Sequence, residues 1–203
     1  MSRRTMALII GGLVAGSALA LVAVRQQTPP TTSTPATQTT GKALIGGPFS
    51  LTDQTGKRVT EKDFLGRYML VFFGFTNCPD ICPSGLQVMS AALDKLGPKA
   101  DVVTPVFITL DAARDTPEKL KAYVKSFHPR LVGLTGSEAE VAAAAKAYRV
   151  YFQKIDDDKT PGSYTYDHAA IIYLMGKDGT FVTHIPHTTD VEQVVDALNK
   201  SLP

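Results

Sequence analysis

Met69-Leu70-Val71-Phe72-Phe73-Gly74-Phe75-Thr76-Asn77-Cys78-Pro79-Asp80-Ile81-Cys82-Pro83 decides the architecture, because one apolar run ends directly in the only two cysteines of the chain. A continuous apolar run at residues 69–75 marks a strand buried on both faces, as in a sheet covered by helices. A thiol pair at the end of such a strand is a chemical site. The residue before a proline is driven out of the α region, so Cys78 and Cys82 are both expected to be extended, with Cys82 as N-cap and Pro83 as first helical residue. The helix then runs through Leu86, Met89, Ala92, Leu93 and Leu96 and stops at Gly97-Pro98. Both sulfurs thus lie near the positive end of a helix. A thiolate is favoured over a thiol there, which suits metal binding or redox exchange.

Working outward, Phe49-Ser50-Leu51 and Arg58-Val59-Thr60 flank Asp53-Gln54-Thr55-Gly56, the pattern of a hairpin with a glycine turn. The helix after Cys82 leads to a second buried strand at residues 102–110. Thr116-Pro117-Glu118 opens another helix, with Leu120, Tyr123, Val124 and Phe127 as its apolar stripe. Residues 137–148 form a third helix, with Ser137 and Glu140 as a capping box. A short strand is expected at 150–155, followed by an exposed insertion at 156–164 containing Pro161-Gly162. Residues 169–175 and 181–185 flank Lys177-Asp178-Gly179, a strong hairpin signal. Residues 191–202 close the chain as a helix with Val194, Val195 and Leu198 on one side. Strands joined by helices, then a hairpin and a final helix, give an α/β fold: a thioredoxin-like sandwich with a central mixed sheet and an N-terminal hairpin. Sites in such sheets form beyond the carboxyl ends of parallel strands, where the cysteine loop falls.

The first 41 residues contain no Asp or Glu. Arg3 and Arg4 precede 19 uncharged residues, 6–24, and Arg25 follows; the run is long enough to span a bilayer core. Residues 1–25 therefore read as a single transmembrane anchor, with the arginines in the cytoplasm and the rest of the chain on the opposite side. Ala18-Leu19-Ala20 keeps a cleaved signal peptide open as the alternative. Residues 26–45, rich in Thr and Pro, cannot bury enough apolar surface to offset their ordering entropy and are expected to be a disordered tether. The domain proper is residues 46–203. Without the three N-terminal arginines the chain carries 18 basic residues against 19 acidic ones, and no nucleic-acid footprint is visible. Exported domains use paired cysteines as structural disulfides, but so short a loop would constrain the unfolded chain little. Function is the better explanation for Cys78 and Cys82.

Two thiolates are soft ligands, and Cu(I) accepts two of them with one imidazole, whereas structural zinc takes four protein ligands. A third ligand must come from His128, His168, His184 or His187. His168, in Tyr166-Asp167-His168-Ala169-Ala170, precedes the strand expected at 169–175, beside the cysteine loop in a thioredoxin-like fold. It is the best placed candidate; a core histidine partnered by Asp167 is the alternative. His184 and His187 flank Pro186 in a polar loop, and His128 before Pro129 reads as a solvated helix end. Asp80 lies inside the cysteine loop. Asp111, Arg114 and Asp115 follow the second buried strand at the same mouth, where they act as turn and helix caps or support the site.

Three motifs carry a resemblance: residues 74–83 as quoted above, Asp111-Ala112-Ala113-Arg114-Asp115-Thr116-Pro117, and Asp167-His168 leading to Leu174-Met175-Gly176-Lys177-Asp178-Gly179. With them, residues 46–202 resemble the Sco/SenC family of copper chaperones. The resemblance implies a thioredoxin fold tethered to the bacterial inner membrane, facing the periplasm. It implies one copper ion per monomer, Cu(I) or Cu(II), held by Cys78, Cys82 and His168, with a redox disulfide between Cys78 and Cys82 and supporting or docking roles for Asp111 and Asp80. It implies assembly of the dinuclear copper centre of cytochrome c oxidase subunit II, by copper delivery, by reduction of the target's cysteines, or both, with copper from an upstream periplasmic donor. Asn77 stands where family members often have His. A metal-independent thiol-disulfide oxidoreductase or peroxide-reducing enzyme, and a copper or redox sensor, are the other classes open to the same residues. The cysteine spacing, one residue longer than Cys-x-x-Cys, weighs against the enzyme.

Overall fold

The computed structural model describes residues 44–156 and 162–203. Along them run β1 (Ser50–Asp53), β2 (Arg58–Thr60), β3 (Tyr68–Gly74), α1 (Ile81–Leu96), β4 (Val103–Thr109), α2 (Pro117–Val124), β5 (Val132–Thr135), α3 (Glu138–Ala147), β6 (Phe152–Asp156), β7 (Tyr164–His168), β8 (Ile171–Met175), β9 (Phe181–Pro186) and α4 (Val191–Ser201). Seven strands form one mixed sheet in the order β2-β1-β5-β4-β3-β8-β9, with β3, β4 and β5 parallel and the others antiparallel. This is the thioredoxin-like mixed α/β architecture expected from the order of elements.

β3 shows why the sheet is covered on both sides. Its side chains alternate across the pleat. Leu70 and Phe72 enter a core with Leu86, Met89 and Leu93 of α1, Leu120 and Val124 of α2, and Val194 and Leu198 of α4. Met69, Val71 and Phe73 enter the opposite core with Val141, Ala144 and Ala145 of α3 and with Tyr148. The helices start where the chain supplies caps: the Thr116 hydroxyl accepts from the Lys119 N–H, and Ser137 and Glu140 form the expected capping box.

Several expectations change. Cys82 does not cap α1; Asp80 is the N-cap, and Cys82 and Pro83 lie inside the first helical turn. Proline is tolerated there because the first N–H groups of a helix have no intrahelical acceptor, so the restraint on the residue before proline is overridden. β5 was not anticipated. Its four residues stand between Pro129 and Gly136, too short a run to show a period, and Gly133 is needed there because a Cβ would meet Val124 Cγ1 at 2.8 Å. β6 and β7 form a separate two-stranded antiparallel ribbon, with Phe152 opposite His168. His168 therefore closes a strand rather than sitting in a loop, and β8 begins at Ile171. His128 is buried, not solvated: its Nδ1 accepts from the Arg130 N–H at 3.1 Å and its Nε2 is 3.6 Å from Asp94. The expected anchor (6–24), nearly all of the tether and most of the insertion (157–161) lie outside the described residues. Among the described residues no helix is long and apolar enough to cross a membrane.

Gly74, the last residue of β3, makes room for the site. A Cβ there would lie 2.7 Å from Cys82 Sγ and 2.9 Å from Phe107 Cε2. Gly74→Ala is expected to overpack this point and to destabilise the fold by about 2 kcal/mol, read as a lower midpoint of urea unfolding in metal-free protein.

Candidate metal centre

The cysteine loop is a turn that leaves β3 and enters α1. It is closed by the Cys78 N–H donating to the Phe75 carbonyl at 3.2 Å and fastened by one carboxylate. Asp115, wholly buried, accepts the Thr76 N–H at 2.9 Å, the Thr76 hydroxyl at 2.5 Å and the Thr109 hydroxyl at 2.6 Å. Lys119 Nζ stands 3.3 Å from the same carboxylate and donates to Asn77 Oδ1 at 2.9 Å. The end of β3, the end of β4 and the start of α2 are thus joined at one buried charge, which its partners must satisfy.

The two sulfurs occupy unlike environments. Cys82 is fully buried and Cys78 half-buried. Asp80 offers α1 no side-chain cap. Instead, Cys78 Sγ accepts the Cys82 N–H at 3.3 Å, so a sulfur takes the place of the capping oxygen at the positive helix end. The Cys82 thiol donates to Cys78, and this hydrogen bond, with help from loop N–H groups, pulls the Cys78 thiol down to about 4 against the opposing effect of burial. The same proton, shared with Cys78, together with burial pushes Cys82 far up. The pair therefore holds one proton, and Cys78 carries the negative charge.

His168 completes the group. Its ring meets the edge of Phe75, with centroids 6.0 Å apart, and its Nδ1 lies 3.3 Å from the Ala169 carbonyl oxygen. A carbonyl only accepts, so Nδ1 carries the hydrogen and Nε2 presents a lone pair. That Nε2 is 3.6 Å from Cys82 Sγ. A metal–sulfur bond of about 2.3 Å and a metal–nitrogen bond of about 2.0 Å, opened to a trigonal angle, place sulfur and nitrogen about 3.7 Å apart. Among the described residues no three Cys, His, Asp or Glu side chains already close around a common point. Binding of an ion there would displace the thiol proton.

The other candidates lie elsewhere. Asp80 is exposed. Asp111 is wholly buried, but its carboxylate serves Arg114 and the Tyr164 hydroxyl, the latter at 2.9 Å. His184 is on β9, stacked on Phe181, and His187 follows that strand. Thr76, Lys119, Tyr164 and Tyr166 escaped the sequence reading. The last two had a signal, since Tyr164-Thr165-Tyr166-Asp167-His168 alternates with period two as a strand does.

Against known proteins, the family model described as SCO1/SenC matches residues 37–203. Protein SCO1 homolog 1, mitochondrial, of Arabidopsis thaliana is 45% identical over 163 residues, 80% of this chain and 48% of that protein. The chain thus spans about half the length of this curated relative. The crystal structure of Arabidopsis thaliana ScoI with copper bound superposes at a TM-score of 0.73 and 44% identity, covering 77% of this chain and 97% of that one. The structure of Bradyrhizobium japonicum ScoI with copper bound does so at 0.71 and 46%, covering 78% and 99%.

The unequal sulfurs set an expected reactivity. In reduced, metal-free protein one thiol, Cys78, is alkylated by iodoacetamide. Its rate holds nearly constant as the pH falls from 8 toward 5, because the thiolate persists, and drops as the pH approaches 4. Cys82 reacts only after denaturation. Peptide mapping by mass spectrometry checks both statements.

Proposed function

The chain belongs to the SCO1/SenC family, and from that premise we propose that it is a copper chaperone whose cargo, one ion per monomer, is held by Cys78, Cys82 and His168. The observation that carries this reading is the 3.6 Å approach of His168 Nε2 to Cys82 Sγ, with Cys78 Sγ hydrogen-bonded beside them. The three donors in this reading come from the cysteine turn, α1 and β7. Two sulfurs and an imidazole are soft enough for copper and too few to close a structural zinc site. A site with so few protein ligands, and one sulfur half-exposed, favours transfer to a partner offering more thiolates. The recipient in this reading is the dinuclear copper centre of cytochrome c oxidase subunit II, loaded after an upstream periplasmic donor has supplied the ion. The apolar segment at 6–24 anchors the chain in the bacterial inner membrane, and the domain works on the periplasmic side.

A second reading draws on the inequality of the thiols. The Cys78 thiolate attacks one sulfur of a target disulfide and expels the other, which takes up a proton. Cys82 then gives its proton to His168 Nε2 and attacks the Cys78 sulfur of the mixed disulfide, releasing the second target thiol. Two electrons pass from the Cys78–Cys82 pair to the target. The same residues therefore serve thiol reduction when no ion is bound.

Titration of reduced, metal-free protein with Cu(I) against a competing chelator, and with Cu(II) followed by its thiolate charge-transfer absorption, is expected to give one ion per chain. His168→Ala is expected to weaken affinity at least roughly tenfold, and Cys78→Ser or Cys82→Ser to abolish the absorption. Unchanged affinity in His168→Ala removes the histidine from the ligand set. Rapid turnover of a disulfide substrate with copper chelated favours the second reading.

A further inference from the structure

Tyr164, the first residue of β7, is gripped from several directions. Arg114 Cζ lies 3.7 Å from its ring centroid and Lys154 Nζ 3.9 Å. Its hydroxyl donates to Asp111 Oδ1 at 2.9 Å, and its carbonyl accepts from Arg114 Nη1 at 3.0 Å. Arg114 also bonds the Asp111 carboxylate through Nε, and its Nη2 is buried with no acceptor among the described residues. The stack on Tyr164 adds to these two hydrogen bonds in holding the guanidinium.

Tyr164 starts the strand that ends in His168. From it a chain of ring contacts leads to the ligand: Tyr164 to Tyr166 at 5.8 Å, Tyr166 to Phe75 at 5.5 Å, and Phe75 to His168 at 6.0 Å between centroids. The ribbon lies outside the main sheet, and a cavity of about 370 Å³, lined by Phe152, Tyr164 and Tyr166 on one side and Leu110, Val141 and Ala142 on the other, separates it from α3. Side-chain packing against α3 thus fixes the ribbon little. One segment, residues 109–115, reaches both halves of the metal centre: Asp115 fastens the cysteine turn, and Asp111 with Arg114 fastens the ribbon.

We propose that Arg114 and Tyr164 form a clasp that holds His168 opposite the cysteine sulfurs and are positioning residues for the metal centre, an inference that rests on reading Cys78, Cys82 and His168 as its ligands. Neither residue touches the sulfurs or the imidazole. Their effect passes through the backbone of β7 and the Tyr166–Phe75 contact.

The test uses Arg114→Gln, Tyr164→Leu and Tyr164→Phe in the full chain, each alone and combined with His168→Ala. In metal-free protein, amide hydrogen exchange at residues 164–168 is expected to quicken in Arg114→Gln and Tyr164→Leu while β3 keeps its protection. In copper-loaded protein the dissociation rate rises about tenfold in both. Tyr164→Phe, which keeps the ring and its contacts with the two cations but loses the hydroxyl, falls between wild type and Tyr164→Leu. With His168→Ala already present, the clasp substitutions produce no further change in dissociation. An equal increase with and without the imidazole overturns the proposal, as does unchanged exchange at 164–168. If Tyr164→Leu loses β3 protection it has unfolded, and Arg114→Gln decides. If wild type and His168→Ala release copper alike, the ligand reading fails; the exchange arm, which needs no metal, still shows whether the clasp holds β7.

Discussion

The Asp115 carboxylate is the constraint on which the rest depends. It is inaccessible to solvent, and a charge in that position is tolerable only because two hydroxyls, one backbone N–H and the Lys119 ammonium surround it. Thr76 lies 39 residues away in sequence, whereas Thr109 and Lys119 are near neighbours, and together they tie the end of β3 to the end of β4 and the start of α2. The cysteine turn inherits its shape from that arrangement. Stripping the carboxylate would leave the Thr76 N–H without its acceptor, and a buried donor left unsatisfied costs about 1–3 kcal/mol.

A second constraint is volume. Cys82 has no exposed surface, and its sulfur fits because residue 74 has no side chain beyond hydrogen. The buried sulfur keeps its proton and the half-buried one gives it up: the hydrogen bond between the two thiols is the largest cause, and burial, deeper at Cys82, adds to it. That inequality serves either chemistry. A thiolate facing solvent captures a soft ion or attacks a disulfide, and a protonated partner one helical turn away holds the second donor in reserve.

Much of this was legible in the residues. The apolar run at 69–75, ending in two cysteines, marked a central strand and a site at its end, and Thr116-Pro117 and Ser137 with Glu140 announced their helices. What escaped had physical causes. β5 has only four residues, and its tight contact with α2 through Gly133 is visible only in three dimensions. The N-cap was misread because Pro83 satisfies the first turn as well in its third position as in its first, and only the Cys82 N–H bonded to the Cys78 sulfur tells the two apart. Asp115 reads as a helix cap because one of its partners, Thr76, lies 39 residues away and meets it only through the fold. The alternation from Tyr164 to His168 was a strand signal hidden behind an insertion.

The ribbon stands apart from the seven-stranded sheet and shares little of its core. Elements with few buried apolar contacts open at a small fraction of the free energy needed to unfold the whole molecule. Local opening of the ribbon would move His168 while both cores remain intact. A calorimetric midpoint, which reports the cores, is blind to whether the imidazole is in place. Two variants with identical melting curves can therefore differ in the ribbon of residues 152–156 and 164–168 that carries the imidazole.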